Sequence, residues 1–342
     1  MSKKATQMKT EIQEIPDAVE RLLTQGGGAI VKAADAVRQS NPPYLLSVAR
    51  GSSDHACTFL KYASELLLKR PMASVGPSVK SIYGVDLACD GALCISVSQS
   101  GQSPDIVRMT QALGASGAFT VAITNNPTSR LAGVARATLP IHAGPEQSVA
   151  ATKTFVTSLV AGLWFLAELK QDADLIRAIR SLPTHLSAAT KCDWSAAANA
   201  IDGRPLYTLG RGPSWAISNE AALKFKETCL IQAESYSSAE VMHGPVSIVE
   251  HGFPVIAFAA GDAAEDALSE VADALSEKGA HVFATTNRVS RAQTLPHIRT
   301  NHWLTDPIAA IVSFYGMVES VAHLRGIDPD APRHLNKVTE TI

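Results

Sequence analysis

Three charged residues, Glu220, Lys224 and Glu227, fall at i, i+4 and i+7 in SWAISNEAALKFKETCL, so a helix would carry all three on one face. Apolar Ile217, Ala221, Leu223 and Phe225 interleave with them. Such a stripe is ordinarily a solvated face. If the helix starts at the carboxyl end of a strand, it stands where ligands bind. A carboxylate there is tuned upward by burial and downward by the lysine, which suits proton abstraction beside a carbonyl or imine. Downstream, His243 precedes Gly244-Pro245, a turn that would expose the imidazole, although a lone histidine is more often structural. Glu240 and His243 have no second ligand set at metal spacing, so no metal is expected.

A second constellation is the turn SQSGQSPD at 98–105, which follows the apolar run LCISV at 93–97. Pro104 suits a first helical turn and Ser103 an N-cap. Free backbone N–H groups and the helix dipole favour an anion there, with Ser98, Gln99, Ser100 and Ser103 as uncharged donors and Gly101 allowing close approach. An ordinary capped turn fits the same residues. The turn RGSS at 50–53 adds Gly51, Ser52 and Ser53 on a neighbouring strand end. In AATKT at 150–154, threonine capping beside a solvated lysine and a ligand contact through Ala151 and its neighbours remain equal readings.

The elements that must position these residues occur twice. YLLSVARGSS at 44–53 and LYTLGRGPS at 206–214 both run from an apolar strand into an Arg-Gly turn and a helix. ALCISVS at 92–98 is matched by PVIAFAA at 254–260, and FTVAITNN at 119–126 by HVFATTN at 281–287, each pair separated by a helical segment. The near-constant offset makes the chain a duplicated α/β unit, with parallel sheets covered on both faces and ligands beyond the strand ends. In the second copy AGDA at 260–263 stands where the first has serines, so only the first copy is expected to bind phosphate.

This predicts an α/β protein of two tandem doubly wound parallel-sheet modules. Residues 1–40 form a helical segment, 41–181 the phosphate-binding module, 182–327 the acid–base module and 328–342 a Pro-broken polar tail. With 342 residues, 46% hydrophobic and 18% charged, the chain can bury large cores. Net charge −2 gives no global field for nucleic acid. Five cysteines without C-x-x-C favour a reducing compartment, and the polar N-terminus has no apolar signal core. The longest apolar stretch, at 155–169, is shorter than a membrane span and reads as a buried helix. The expectation is a cytoplasmic protein with no membrane, nucleic-acid or cofactor partner.

Together SQSGQS, AATKTF, EAALKFKE, AEVMHGP and DAPRHLNKVT resemble the SIS (sugar isomerase) family, closely the isomerase half of glucosamine-6-phosphate synthase. The likeness runs from about residue 12 to the C-terminus. It implies that Ser53, Ser98, Gln99, Ser100 and Ser103 hold a sugar phosphate, the family usually having Thr at the last position. Glu227 would move the proton between C1 and C2, and Glu220 and Lys224 would contact the sugar or orient Glu227. His243 would open the ring, in this family also from the partner subunit of a homodimer. Lys337 would lie near the carbonyl, where the family's lysine can form a Schiff base, and the tail would close as a lid. About forty residues precede the first module, too few for the synthase's glutaminase domain. The expectation is therefore an isomerising deaminase, converting glucosamine 6-phosphate to fructose 6-phosphate and ammonia through an enolamine. The alternatives are a fructosamine-6-phosphate deglycase, a galactosamine-6-phosphate deaminase, an isomerase without deamination and a non-catalytic sugar-phosphate regulator.

Overall fold

The computed structural model describes residues 5–335 and 337, and these divide into two compact units. One holds 17–146, 153–180 and 337; the other holds 5–16, 147–152 and 181–335. The N-terminal helices are thus shared out: Gln7–Gln13 belongs to the second unit, and most of Ile15–Gln25 and all of Gly27–Ser40 to the first.

The first unit contains a five-stranded sheet of β1 (Leu45–Val48), β2 (Met72–Ser74), β3 (Leu93–Val97), β4 (Phe119–Thr124) and β5 (Ala137–Pro140), in the order β2-β1-β3-β4-β5. All pairings are parallel, with Val48 beside Ser96 and Val97 beside Ile123. Parallel strands need crossovers, and helices supply them on both faces. Ser52–Leu68 and Gly27–Ser40 pack with Lys153–Lys170, while Pro104–Ala115 packs with the short helices Ser78–Ser81 and Arg130–Val134. β1, β3 and β4 are buried throughout, which is why they read as unbroken apolar runs.

The second unit repeats this plan with β6 (Leu206–Gly210), β7 (Ala233–Ser237), β8 (Pro254–Phe258), β9 (His281–Ala284) and β10 (Gln293–Thr294). Its order, β10-β9-β8-β6-β7, is that of the first sheet once equivalent strands are matched, and all pairings are parallel. Sequence patterning finds three strands in each half; the structure has five. The additional ones are short or polar: β7 reads AESYS and β10 is only QT. They become strands by pairing with β6 and β9 rather than by an apolar pattern of their own.

The duplication reaches backbone detail. Gly51 after β1 has φ 55° and ψ −134°, and Gly212 after β6 has φ 56° and ψ −134°. That region is essentially closed to residues with a Cβ, so both Arg-Gly turns require their glycine.

The 155–169 stretch lies within the buried helix Lys153–Lys170. Another helix, Asp306–Leu324, is long and apolar enough to cross a membrane by length and composition, but 78% of it is buried inside the fold. It packs on Pro213–Cys229 as a core helix.

Four of the five cysteines, Cys57, Cys89, Cys94 and Cys229, are buried, and Cys192 is partly exposed. Burial pushes the Cys94 thiol up to about 12 and Cys229 to about 11, and raises Cys57 and Cys89 as well. Their reactive thiolates would form only well above neutrality. At pH 8 a maleimide is expected to label one site in the native protein, Cys192, and five after denaturation. Rapid native labelling of two or more sites, read by peptide mass spectrometry, would contradict the burial.

Candidate functional site

In the first unit the strand order reverses at β1 and β3. Such a reversal is the switch point beyond whose strand ends ligands bind in open parallel sheets, and the turns at 49–53 and 98–103 follow those two strands. Arg50 joins them: its Nε and Nη2 lie 3.1 and 3.0 Å from Asp105 Oδ2, on the helix after β3. Asp105 has no side-chain exposure and would repel an anion if left unpaired; Arg50 neutralises it.

The 98–103 turn is held through its carbonyls and hydroxyls. Gln99 O accepts from Asn125 N at 3.1 Å and Thr124 Oγ1 at 3.3 Å, and Gly101 O accepts from Leu131 N at 3.0 Å. Ser98 Oγ accepts from Gly101 N at 3.1 Å. The N–H groups of Gln99, Ser100 and Ser103 meet no protein acceptor among the described residues. Ser103 precedes Pro104 as anticipated, but its hydroxyl makes no capping bond. Ser52 and Ser53 begin the Ser52–Leu68 helix, in which Asp54 N and His55 N donate to Gly51 O at 2.9 and 3.2 Å. The 98–103 turn therefore presents uncharged donors ahead of a helix N-terminus, an arrangement suited to an anion.

The equivalent turn of the second unit is filled from within. Asp306 Oδ2 accepts from Gly261 N at 2.8 Å, and its Oδ1 accepts from Thr300 N and Oγ1, both at 2.7 Å. Arg299 and Glu265 pair beside it. Burial, then neighbouring carboxylates, push the Asp262 carboxyl up despite the Ala264 N–H. A protein carboxylate thus takes the backbone donor that an anion would need.

The Pro213–Cys229 helix of this unit carries the charged stripe, but the stripe is not solvated. Glu220 and Lys224 have no side-chain exposure, whereas Glu227 retains 21%. Lys224 Nζ lies 3.1 Å from Glu220 Oε1 and donates to Glu227 Oε2. Tyr315 Oη donates to Glu220 Oε1 at 3.3 Å. Burial alone would lower the Lys224 pKa; the two carboxylates overcome it and raise it well above the ordinary lysine value. Glu227 is thus the member of the stripe that reaches solvent. His243 ends a 3-10 turn, Val241–His243, in the same unit and is exposed; Gly244 after it has φ 151°. The hydrogen bonds of the charged triad do not include it.

Two further buried carboxylates lie beside the 146–154 segment. Glu146, in the first unit, accepts from Thr154 N at 3.1 Å and Thr154 Oγ1 at 2.6 Å, and its Oε2 lies 3.0 Å from Lys337 Nζ. Glu11, in the second unit, accepts from Ser148 N at 3.3 Å and from Gln147 N. Ala151 itself is partly buried. Lys153 is only 2% exposed, which excludes the solvated-lysine reading. Sequence reasoning missed Glu146 and Glu11; the one available signal was a carboxylate directly after Gly144-Pro145, ahead of an apolar helix. No three His, Cys, Asp or Glu side chains converge as a metal site among the described residues.

The sequence profile of the SIS domain matches residues 41–168 and 201–312. The glutamine–fructose-6-phosphate aminotransferase (isomerizing) of Pyrobaculum aerophilum is 31% identical over 346 residues, taking in 95% of this chain and 56% of that protein. The chain spans about half the length of the curated relatives it matches. A solved structure described as a candidate phosphosugar isomerase, from Silicibacter pomeroyi DSS-3, is 60% identical with a TM-score of 0.93, over 95% of this chain and all of that one. The C-terminal domain of glucosamine-fructose-6-phosphate aminotransferase from Francisella tularensis shares the fold at 24% identity and a TM-score of 0.83, over 96% of this chain and 99% of that one.

Two substitutions test this geometry. Lys224→Met leaves Glu220 buried without its cation and is expected to lower unfolding free energy by about 3–5 kcal/mol in denaturant titrations. Because the folded lysine pKa is raised, the ion's contribution is present at neutral pH and is lost only as pH rises through that value. A loss below about 1 kcal/mol would mean that the pair is not buried as described. At Gly101, φ is 63° and an added Cβ would collide with Ser129. Gly101→Ala is expected to weaken sugar-phosphate affinity by at least about tenfold in calorimetry, ~1.4 kcal/mol. Unchanged affinity would remove the turn from the binding site.

Proposed function

The chain belongs to the SIS domain family, and from that premise we propose that it is a phosphosugar isomerase-type enzyme, an isomerising deaminase acting on glucosamine 6-phosphate. The observation that carries this reading is the graded exposure of the triad. Glu227 is its one solvent-accessible member, and Lys224 holds one of its oxygens. A general base has to reach its proton while keeping a fixed direction, and this arrangement supports both.

In the proposed reaction the sugar phosphate binds the donors of Gly51, Ser52, Ser53, Ser98, Gln99, Ser100 and Ser103, which fixes the reacting carbons relative to the protein. Ala151 is assigned to the sugar contacts as well. His243 assists ring opening, from its own subunit or across a homodimer. Glu227 removes the C2 proton of the open-chain aldehyde to give an enolamine and returns a proton to C1. Water adds to the C2 ketimine, and ammonia leaves with fructose 6-phosphate as the second product. Lys224 keeps the Glu227 carboxylate aligned, and Glu220, with Tyr315, balances the buried ammonium. Lys337 stands near the carbonyl end of the substrate.

Purified protein is expected to release ammonia and fructose 6-phosphate from glucosamine 6-phosphate in equal amounts. Glu227→Gln should lower kcat by about 10²- to 10⁴-fold with little change in KM. Turnover of galactosamine or fructosamine phosphates instead would keep the base and change the substrate. Sugar-phosphate binding with no turnover of any of these would overturn the enzymatic reading and favour a sensor.

A further inference from the structure

Glu146 has no side-chain exposure, yet both its oxygens are committed. One accepts the backbone N–H of Thr154, in the first turn of Lys153–Lys170, where such groups have no intrahelical partner. The other is shared between the Thr154 hydroxyl, at 2.6 Å, and the ammonium of Lys337, at 3.0 Å. Capping the helix would need only the first pair of contacts. Lys337 lies 191 positions further along the chain and keeps 26% side-chain exposure, so a lysine that is partly open to solvent is tied to a carboxylate that is not.

Glu146 is itself well placed to fix a position. The parallel strands β4 and β5 end at Thr124 and Pro140, and Glu146 stands on the segment that follows at their carboxyl end. That segment is tied down by Asn125, whose side chain accepts from Ala143 N at 3.0 Å and donates to Gly144 O at 2.8 Å. The same Asn125 donates its backbone N–H to Gln99 O of the serine turn at 3.1 Å. A continuous hydrogen-bonded path therefore runs from that turn through Asn125 to the segment bearing Glu146. A lysine on a four-carbon stem has many rotamers, and a buried carboxylate with both oxygens anchored gives its nitrogen one defined place.

We propose that Glu146 is the positioning residue for Lys337: it docks the tail lysine at the carboxyl end of the first module and sets the place of its nitrogen relative to the phosphate turn. As a statement about catalysis this rests on the function proposed above; as a statement about docking it does not. Glu146→Gln suits the test, because a glutamine carbonyl can still accept from Thr154 while its amide offers Lys337 a donor instead of an acceptor.

Docking is read by trypsin cleavage after Arg333, which is exposed. Cleavage is expected to speed up at least about tenfold in both Glu146→Gln and Lys337→Met, since a local opening that loses its closing contact becomes more populated. Positioning is read by kinetics with glucosamine 6-phosphate. Glu146→Gln should lower kcat by about 10- to 100-fold with KM within about twofold, because the phosphate contacts are untouched. In a Lys337→Met background it should cost nothing further. Cleavage at the wild-type rate in Glu146→Gln would overturn the docking, and additive kcat losses would overturn the positioning by showing that Glu146 acts as a helix cap alone. Faster cleavage in both variants, with no turnover of any candidate substrate by the wild type, would uphold the docking and remove the proposed reaction instead.

Discussion

The order β2-β1-β3-β4-β5 imposes the constraint from which the proposed ligand-binding end of the first module follows. All five strands point one way, so every connection returns across a face of the sheet. At β1 and β3 the returning helices take opposite faces, and no crossover covers the strand ends between them. The chain's unusual local features gather at that gap: a glycine at φ 55°, a serine-rich turn stitched through its carbonyls, and the Arg50–Asp105 pair across the two turns. Arg50 has to be there because the helix after β3 carries a carboxylate in its first turn, well placed for the helix dipole but adverse to a bound anion.

The second module meets the same constraint and resolves it differently. Gly212 repeats the backbone of Gly51 almost to the degree, so the turn after β6 survived duplication. The turn after β8 did not stay open. Asp306, at the start of the long core helix, places its carboxylate on the Gly261 N–H, with Arg299 nearby to balance the charge. One copy of the fold leaves N–H groups of its turn without a protein acceptor among the described residues, and the other satisfies that turn internally. The second copy's distinctive chemistry lies along the Pro213–Cys229 helix instead.

The central strands and the major helices were legible because burial on both faces writes itself into sequence as unbroken apolar runs, as at LCISV and PVIAF. Strands at or near the sheet edges were not: AESYS has no apolar pattern, and Gln293-Thr294 is too short to carry one. The helical spacing of Glu220, Lys224 and Glu227 was legible, but not their burial, because a charged stripe looks the same whether it faces water or a core helix. Here the apolar Asp306–Leu324 helix, with Tyr315 reaching Glu220, makes the difference. Lys153, Glu146 and Asp306 were illegible for a related reason. Each is a charge whose partner or covering comes from elsewhere in the fold, and no local pattern records such a pairing.

The buried triad is a poor device for stability, which bears on its purpose. Removing two charges from water costs several kcal/mol per ion, and apolar residues of similar volume commonly do as well or better in such places. The helix packs on the apolar Asp306–Leu324 helix, with Phe225 edge-on against Phe314, surroundings in which apolar side chains are at home. What an apolar triplet could not do is hold a carboxylate at the protein surface in one orientation. Glu220 fixes the ammonium, the ammonium fixes one oxygen of Glu227, and the Glu227 side chain keeps 21% exposure. The cost of the two inner charges is repaid as direction in the outer one, and direction is what the proposed proton transfer requires.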